Sequence, residues 1–162
     1  MYKNYLFIVL GEPIYDKIWF WIRGNIRYTK DVEIPVPSEN PEEGINLVHD
    51  YWRKASETIN DGAGDCEDMA ILAAAMMLNH WQTIYGETYA IWCVIIEGPR
   101  GAHVFTIIPI KGGKAVIIDP AGPVVPVEKD IEEVILEYID AWKRQGQHYN
   151  KVYAVFNHKE YK

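Results

Sequence analysis

One segment constrains the fold more than any other. Residues Cys66 to Trp81 are rich in Ala, Met and Leu, and this composition favours a helix. The segment is apolar on nearly every side, which is typical of a helix buried at the centre of a domain. The stretch Asp61-Gly-Ala-Gly64 breaks the chain just before it. The other elements are therefore expected to form layers around this helix.

The remaining periodicities predict helices before this segment and mostly strands after it. Predicted helices span Pro13–Arg23 and Glu128–Arg144, and another begins with Asn40 as N-cap and Pro41 as its first residue. That helix would bury Ile45, Val48, Trp52 and Ala55, after a stiff connection over Ile34–Pro41. Predicted strands are Tyr89–Ile96, Val104–Ile110, Ala115–Ile118 and Val152–Phe156. Helices first and an antiparallel sheet second indicate an α+β fold.

Composition narrows the class of protein. The chain has 162 residues and fits a single domain over 1–162, and its net charge of −7 argues against binding to nucleic acid. Two cysteines, Cys66 and Cys93, make neither a disulfide framework nor a zinc ribbon. The N-terminal apolar run Leu6–Leu10 is too short for a signal peptide or a membrane span. We therefore expect a cytoplasmic protein with no membrane partner.

The start of the central helix carries the clearest chemical signal. Asp65 is the predicted N-cap and Cys66 the first helical residue, so the thiol lies at the positive end of the helix dipole, which favours thiolate. His103, on a later strand, is the candidate base, and Asp119, at the end of the next strand, could orient its imidazole. Taken singly, these residues could equally be a core cysteine, a core histidine and a turn aspartate before Pro120.

Two further requirements follow for a nucleophilic cysteine. An oxyanion donor is needed, and the candidates are the main-chain N–H of Cys66 and the side chains of Trp52 and Asn60. The neighbouring carboxylates should raise the pKa of the thiol, unless they point away or His103 as imidazolium outweighs them. We expect Glu67 and its neighbour Asp68 to be capping and solvated acids.

The spacing of the strands tests the pair of His103 and Asp119. A two-residue turn within Lys111–Lys114 would set Asp119 opposite Thr106, on the face away from His103, because strand side chains alternate. The pair therefore requires an odd loop length or a bulge, which we expect near Pro109.

The chain resembles the transglutaminase-like superfamily of papain-fold cysteine enzymes, and its microbial cysteine-proteinase branch in particular. The matching segments are Arg27-Tyr28 to Asp31, Tyr51-Trp52, Glu57-Thr58-Ile59, Gly64-Asp65-Cys66-Glu67-Asp68-Met-Ala-Ile-Leu72, Ala102-His103-Val104 and Ile118-Asp119-Pro120. The resemblance implies a papain/transglutaminase-like fold, with the N-terminal helices and the Cys66 helix packed on an antiparallel sheet. It also implies a triad of Cys66, His103 and Asp119 that attacks amides.

The resemblance bears on metals as well. Some bacterial relatives hold calcium with acids beside the cysteine and beside the histidine. Asp65 and Glu67 match the first position, whereas Ala102 departs from the second. We therefore expect no metal and no cofactor, with Asp65 and Glu67 as the only calcium candidates.

The function expected from the sequence is a cysteine hydrolase, a protease or amidase that cleaves peptide or isopeptide bonds through a thioester. Its substrate would be a protein or peptide, and its specificity would come from connections such as Asp31–Pro41 and Gly98–Ala102 or from a partner protein. Three alternatives stay open: acyl transfer to an amine, a non-catalytic binding module, and a metal site at Cys66 and His103 with Asp65 or Asp119.

Overall fold

The computed structural model describes residues 14–40, 42, 44–86, 90–123 and 126–157. Its helices are α1 (Ile14–Asn25), α2 (Ala55–Asp61), α3 (Cys66–Tyr85) and α4 (Ile131–Arg144). Its strands are β1 (Arg27–Tyr28), β2 (Ile34–Pro37), β3 (Ile45–Val48), β4 (Ala63–Gly64), β5 (Trp92–Gly98), β6 (Gly101–Ile110), β7 (Lys114–Ile118), β8 (Lys129–Asp130) and β9 (Lys151–Phe156). The predictions made for Leu6–Leu10, Pro41 and Tyr89 lie outside the described residues.

The main sheet has five strands in the order β8-β7-β6-β5-β9, and every neighbouring pair is antiparallel. Two short ribbons accompany it: β1 pairs with β4 in parallel, and β2 pairs with β3 antiparallel. The α+β prediction is confirmed. No helix in the described ranges is both long and apolar enough to span a bilayer.

Side chains of alternate residues build a core on each face of this sheet. Residues such as Val104 and Ile118 face α1 and α3, together with Leu72 and Ile22. Their neighbours in the strands face α4 and surround Tyr138. The sheet thus separates an α3 side from an α4 side, and β6 contributes residues to both.

The helix predicted to begin at Asn40 is wrong. Ile45–Val48 forms β3 and pairs with Ile34–Pro37, which the sequence had indicated to be a connection. Gly44 takes a positive φ of 76°, a conformation that allows the chain to turn back on itself. Ile45 is 67% exposed, so the apolar spacing that resembled a helix does not face the core.

The hairpin between β6 and β7 has the odd loop length that the sequence predicted. Ile110 pairs with Lys114, which leaves three loop residues, Lys111–Gly113. The register is regular across Pro109, so the expected bulge is absent from this ladder, and the register shift in the sheet lies between β5 and β9 instead.

Candidate active site

The short parallel pair of β1 and β4 delivers the chain to the start of α3. Thr29 donates its main-chain N–H to the carbonyl of Gly64 over 2.9 Å. A Cβ at Gly64 would lie 2.6 Å from the Cβ of Asp68, so only glycine fits there. Asp65 then donates its N–H to Asp68 Oδ2 over 3.3 Å, and Cys66 opens the helix. The predicted N-cap and its partner are confirmed.

The thiol of Cys66 lies in a half-buried, acid-rich environment. Burial raises its pKa, the carboxylate of Glu67 raises it further, and the main-chain N–H of Val104 opposes both. Cys66 Sγ donates to Glu67 Oε2 over 3.2 Å. Glu67 is only 6% exposed, so the prediction of a solvated acid is wrong for Glu67, whereas Asp68 does cap the helix.

His103 and Asp119 form a buried pair. His103 Nε2 lies 2.9 Å from Asp119 Oδ2, and the two residues are 4% and 1% exposed. The three-residue loop explains this contact. Thr106 pairs with Ile118, so Asp119 comes opposite Phe105, and its side chain lies on the same face of the sheet as those of Phe105 and His103.

The thiol and the imidazole–carboxylate pair both lie at the first half of β6. Strand β7 ends at Ile118, so residues 101–105 of β6 pair with β5 alone. The N–H of Val104 acts on Cys66 along this stretch, one residue after His103. An open strand edge borders both faces of a sheet, so groups from the α3 side and the α4 side can meet across it.

A cleft of about 420 Å³ opens over Cys66 on the α3 side. It is lined by aromatic, acidic and strand residues: Tyr28, Lys30, Asp31, His49, Asp50, Trp52, Asp65, Cys66, Glu67, Ile95, Glu97, Ala102, Val104 and Tyr153. Exposed Tyr153 and Trp52 give it an apolar rim. The cleft is large enough for a short extended segment of another chain.

Carboxylates gather in the lining of this cleft. Ligand oxygens of Asp31, Asp50 and Glu67 lie within 4.8 Å of one another. Burial raises the pKa of Glu67 to about 9, with a hydrogen bond to Asp65 adding to it. Burial also raises the pKa of Asp65, whose Oδ1 is buried without a hydrogen-bond partner. The cluster has the hard oxygen donors that a calcium ion takes.

Arg53 fixes part of this cluster. Its Nη1 donates to Asp31 Oδ1 over 2.8 Å and to Asp68 Oδ2 over 2.6 Å. Its main-chain N–H also donates to Asp68 Oδ1 over 2.8 Å. The guanidinium therefore joins the segment before β2 to the first turn of α3. It compensates these two carboxylates, whereas Asp50, Asp65 and Glu67 have no ion pair of this kind with another described residue.

The oxyanion candidates differ in position. Trp52 lines the cleft, but its Nε1 donates to Asp50 Oδ1 over 3.1 Å. Asn60 is an exposed residue of α2 and does not line the cleft. The main-chain N–H of Cys66 lies in the first turn of α3, where helical amides have no partner within the helix.

The sequence missed several residues around the site. Asp31 and Asp50 complete the acid cluster, and only the resemblance at Arg27–Asp31 pointed toward the first of them. Tyr138 and Trp142 of α4 contact Asp119 and His103. Their helical spacing indicated a core face, and that pattern carries no sign of a polar role.

Comparisons with known proteins agree with the fold. A family model described as a transglutaminase-like domain matches residues 14–150. Among solved structures, the calcium-bound LapG of Legionella pneumophila is similar with a TM-score of 0.55 at 16% sequence identity, over 93% of this chain and 69% of that chain. A search of curated proteins gives no match.

Proposed function

The chain belongs to the transglutaminase-like domain family, and from this premise we propose that it is a cysteine hydrolase, a protease or amidase that uses Cys66, His103 and Asp119. Its substrate is a peptide or isopeptide bond of a protein or peptide. The LapG structure is similar in fold, and we propose that this chain also has the chemistry of a cysteine hydrolase.

One observation carries the proposal. The thiol at the N-terminus of α3 lies against the main-chain N–H of Val104. Val104 directly follows His103, whose Nε2 lies 2.9 Å from the buried carboxylate of Asp119. With Nε2 engaged by Asp119, the Nδ1 of His103 is the nitrogen left to exchange a proton with Cys66. This division of the two nitrogens is what a cysteine–histidine–aspartate triad requires.

The reaction then follows from these groups. The Cys66 thiolate attacks the carbonyl carbon, and the main-chain N–H of Cys66 donates to the developing oxyanion. His103, as imidazolium, gives its proton to the leaving amine, and the C–N bond breaks to leave a thioester. Water attacks the thioester while His103 accepts one of its protons. The C–S bond then breaks, the carboxylic acid leaves, and Cys66 thiolate and His103 imidazolium are restored.

We further propose that the acid cluster binds a divalent cation, calcium in particular. The residues fit such an ion, because the oxygens of Asp31, Asp50 and Glu67 lie close together and Asp65 Oδ1 is buried without a partner. The ion would supply positive charge beside Cys66, which favours the thiolate. Calcium in the LapG structure is consistent with this proposal.

The test is the reactivity of Cys66 toward iodoacetamide at about pH 6.5, where an ordinary thiol is only ~1% thiolate. With calcium present, we expect fast alkylation of Cys66 in the wild-type protein and a loss of at least about tenfold in His103→Ala. Mass spectrometry separates Cys66 from Cys93, which is 3% exposed and should stay unmodified. His80→Ala, on the far part of α3, is the matched control and should react like the wild-type protein.

Equal rates in the wild-type protein and in His103→Ala would overturn the triad and favour a non-catalytic binding module. With a reactive thiolate established, a library of protein-derived peptides with and without a primary amine would distinguish hydrolysis from acyl transfer. Release of free carboxylate in the presence of the amine is the result expected of a hydrolase.

A further inference from the structure

The carboxylate of Asp119 has a second buried hydrogen bond, which comes from α4. Tyr138 donates its hydroxyl to Asp119 Oδ2 over 2.9 Å. This is the same oxygen that lies 2.9 Å from His103 Nε2. Tyr138 and Asp119 are each 1% exposed, so water does not compete for either bond.

We propose that Tyr138 is a positioning residue of this site, which holds the Asp119 carboxylate in the rotation at which Oδ2 accepts from His103 Nε2. The inference rests on the proposed function, but the two hydrogen bonds to Asp119 Oδ2 that support it do not involve Cys66. Tyr138 acts through Asp119 and touches neither the thiol nor the cleft.

The other contacts of Asp119 fix its backbone and its space but do not set the rotation of its carboxylate. Trp19 Nε1 donates to the main-chain carbonyl of Asp119 over 3.0 Å, and so fixes the backbone. A Cβ at Gly122 would lie 1.8 Å from Asp119 Oδ2, so this glycine keeps the space for the carboxylate open. Among the described residues, the hydroxyl of Tyr138 is the side-chain donor besides His103 that hydrogen-bonds to this group.

The chemistry of Tyr138 suits a permanent donor. Burial raises its pKa well above the usual value, and the nearby charge of Asp119 raises it further. The phenol therefore stays neutral and protonated at any working pH. A neutral donor stabilises the carboxylate form of Asp119 without cancelling its charge, so the charge remains available to the imidazole.

The same helix also shields the pair from water. Trp142, one turn after Tyr138, packs its ring 4.6 Å from the ring of His103, and Tyr149 lies at 5.9 Å. In so dry an environment, an incorrectly rotated carboxylate has no water to replace its lost bond. A single hydroxyl can thus decide which nitrogen of His103 carries the proton.

The experiment reads the tautomer of His103 by ¹⁵N NMR in full-length Cys66→Ala, where no thiolate can charge the ring. At about pH 8, we expect the proton on Nε2 alone. Tyr138→Phe in this background should show both tautomers in exchange. Thr106→Val is the matched control, because it removes another buried hydroxyl, which donates to the Ala70 carbonyl over 2.8 Å on the opposite face of β6. It should leave the tautomer unchanged.

In protein that keeps Cys66, Tyr138→Phe should also lower the alkylation rate by about tenfold, whereas Thr106→Val should stay within about twofold of the wild-type rate. An unchanged tautomer and rate in Tyr138→Phe, with reactivity that still depends on His103, would overturn the positioning role alone. Reactivity of Cys66 that is independent of His103 in the wild-type protein would overturn the proposed function instead.

A second variant keeps the inference testable if Tyr138→Phe does not fold. Incorporation of 3-fluorotyrosine at position 138 keeps the shape and makes the hydroxyl a stronger donor. The ¹⁵N resonance of His103 Nε2 must then move, because both bonds end on the same oxygen. The same label at Tyr51, which donates to Glu57 Oε1, should leave that resonance in place. No shift with the label at position 138 would refute the shared-oxygen coupling.

Discussion

The two sides of β6 handle buried charge in opposite ways. On the α4 side, the carboxylate of Asp119 is paired with His103 and Tyr138 and is covered by aromatic rings. On the α3 side, Asp65 and Glu67 share a cleft with Asp50, and their pKa values are raised chiefly by burial and further by neighbouring carboxylates. On the α4 side the buried carboxylate has its hydrogen-bond partners within the protein, whereas the α3 side has an excess of negative charge.

Under the proposed function, this difference would explain how a thiolate forms beside so many acids. The α4 side, here called the sealed side because aromatic rings cover it, needs no ion from solution and holds His103 in one geometry. The α3 side, with its open cleft, is called the cleft side. On the cleft side, the proposed cation would cancel the charge that otherwise keeps Cys66 protonated. We therefore expect stability on the cleft side to respond to ions and pH, and the sealed side to respond mainly to changes of shape.

The largest effect is expected from Arg53→Met. Arg53 is the built-in cation of the cleft side, and its loss leaves Asp31 and Asp68 buried without compensation. Unfolding in urea should show a loss of about 3–5 kcal/mol. Lys129→Met removes more exposed ion pairs, with Glu137 and Glu133, and its loss should be a small fraction of that of Arg53→Met. Equal losses in the two variants would contradict a buried role for Arg53.

Calcium is expected to have the next largest effect. At a concentration about 100-fold above its Kd, it should add ~2.7 kcal/mol to the free energy of unfolding. That corresponds to a rise in Tm of roughly 5–10 °C for a chain of this size. Glu67→Gln should abolish the rise, whereas Glu97→Gln, at the cleft but paired with Lys151, should keep it. A rise that survives in Glu67→Gln would place the ion elsewhere.

The change of stability for each pH unit should be smaller than the calcium effect and should come from the cleft side. The pKa of Glu67 is raised from 4.5 to about 9, chiefly by burial. The folded chain therefore keeps a proton that the unfolded chain has lost, and stability falls as pH rises through this window. Without calcium, the fall should not exceed about 1.4 kcal/mol per pH unit for this one proton. Thermal unfolding of Glu67→Gln at several pH values should show a flatter profile, and an identical slope would assign the effect to other groups.

The smallest effect is expected for Trp142→Phe on the sealed side. Among the described residues, the buried indole Nε1 has no hydrogen bond of good geometry, although it acts on the hydroxyl of Tyr138 and opposes the rise of its pKa, so its removal should break no strong bond. The change should cost about 1 kcal/mol in urea unfolding, through reduced packing on His103. It should leave the calcium response intact, because the two sides share no ligand. A lost calcium response would show that the two sides are coupled through β6.

Much of the site could be predicted from local sequence. The glycines before Cys66, the capping pair of Asp65 and Asp68, and the apolar run that follows are all short-range signals, and the structure confirms that a helix begins at Cys66. The requirement for an odd loop between His103 and Asp119 was equally local, because side-chain alternation is a property of the strand itself.

Other parts depended on contacts that the sequence does not show. Ile45 and Val48 have helical spacing, yet the chain at 45–48 pairs with Ile34–Pro37 as a strand. Glu67 follows the cysteine directly and appeared to be a solvated acid, whereas packing of the segment around Asp31 and Asp50 buries it. The polar role of Tyr138 was hidden in a regular apolar stripe.

The sequence by itself determined the catalytic candidates, because helix starts, strand alternation and turn lengths are set by residues close together in the chain. The tertiary structure alone decided the charge environment of each candidate. Burial and the neighbouring acids and donors come from segments far apart in sequence, such as Asp31 beside Glu67 and Tyr138 beside Asp119. The strength of an electrostatic interaction depends on the distance and the surrounding medium, and neither can be obtained from the order of residues.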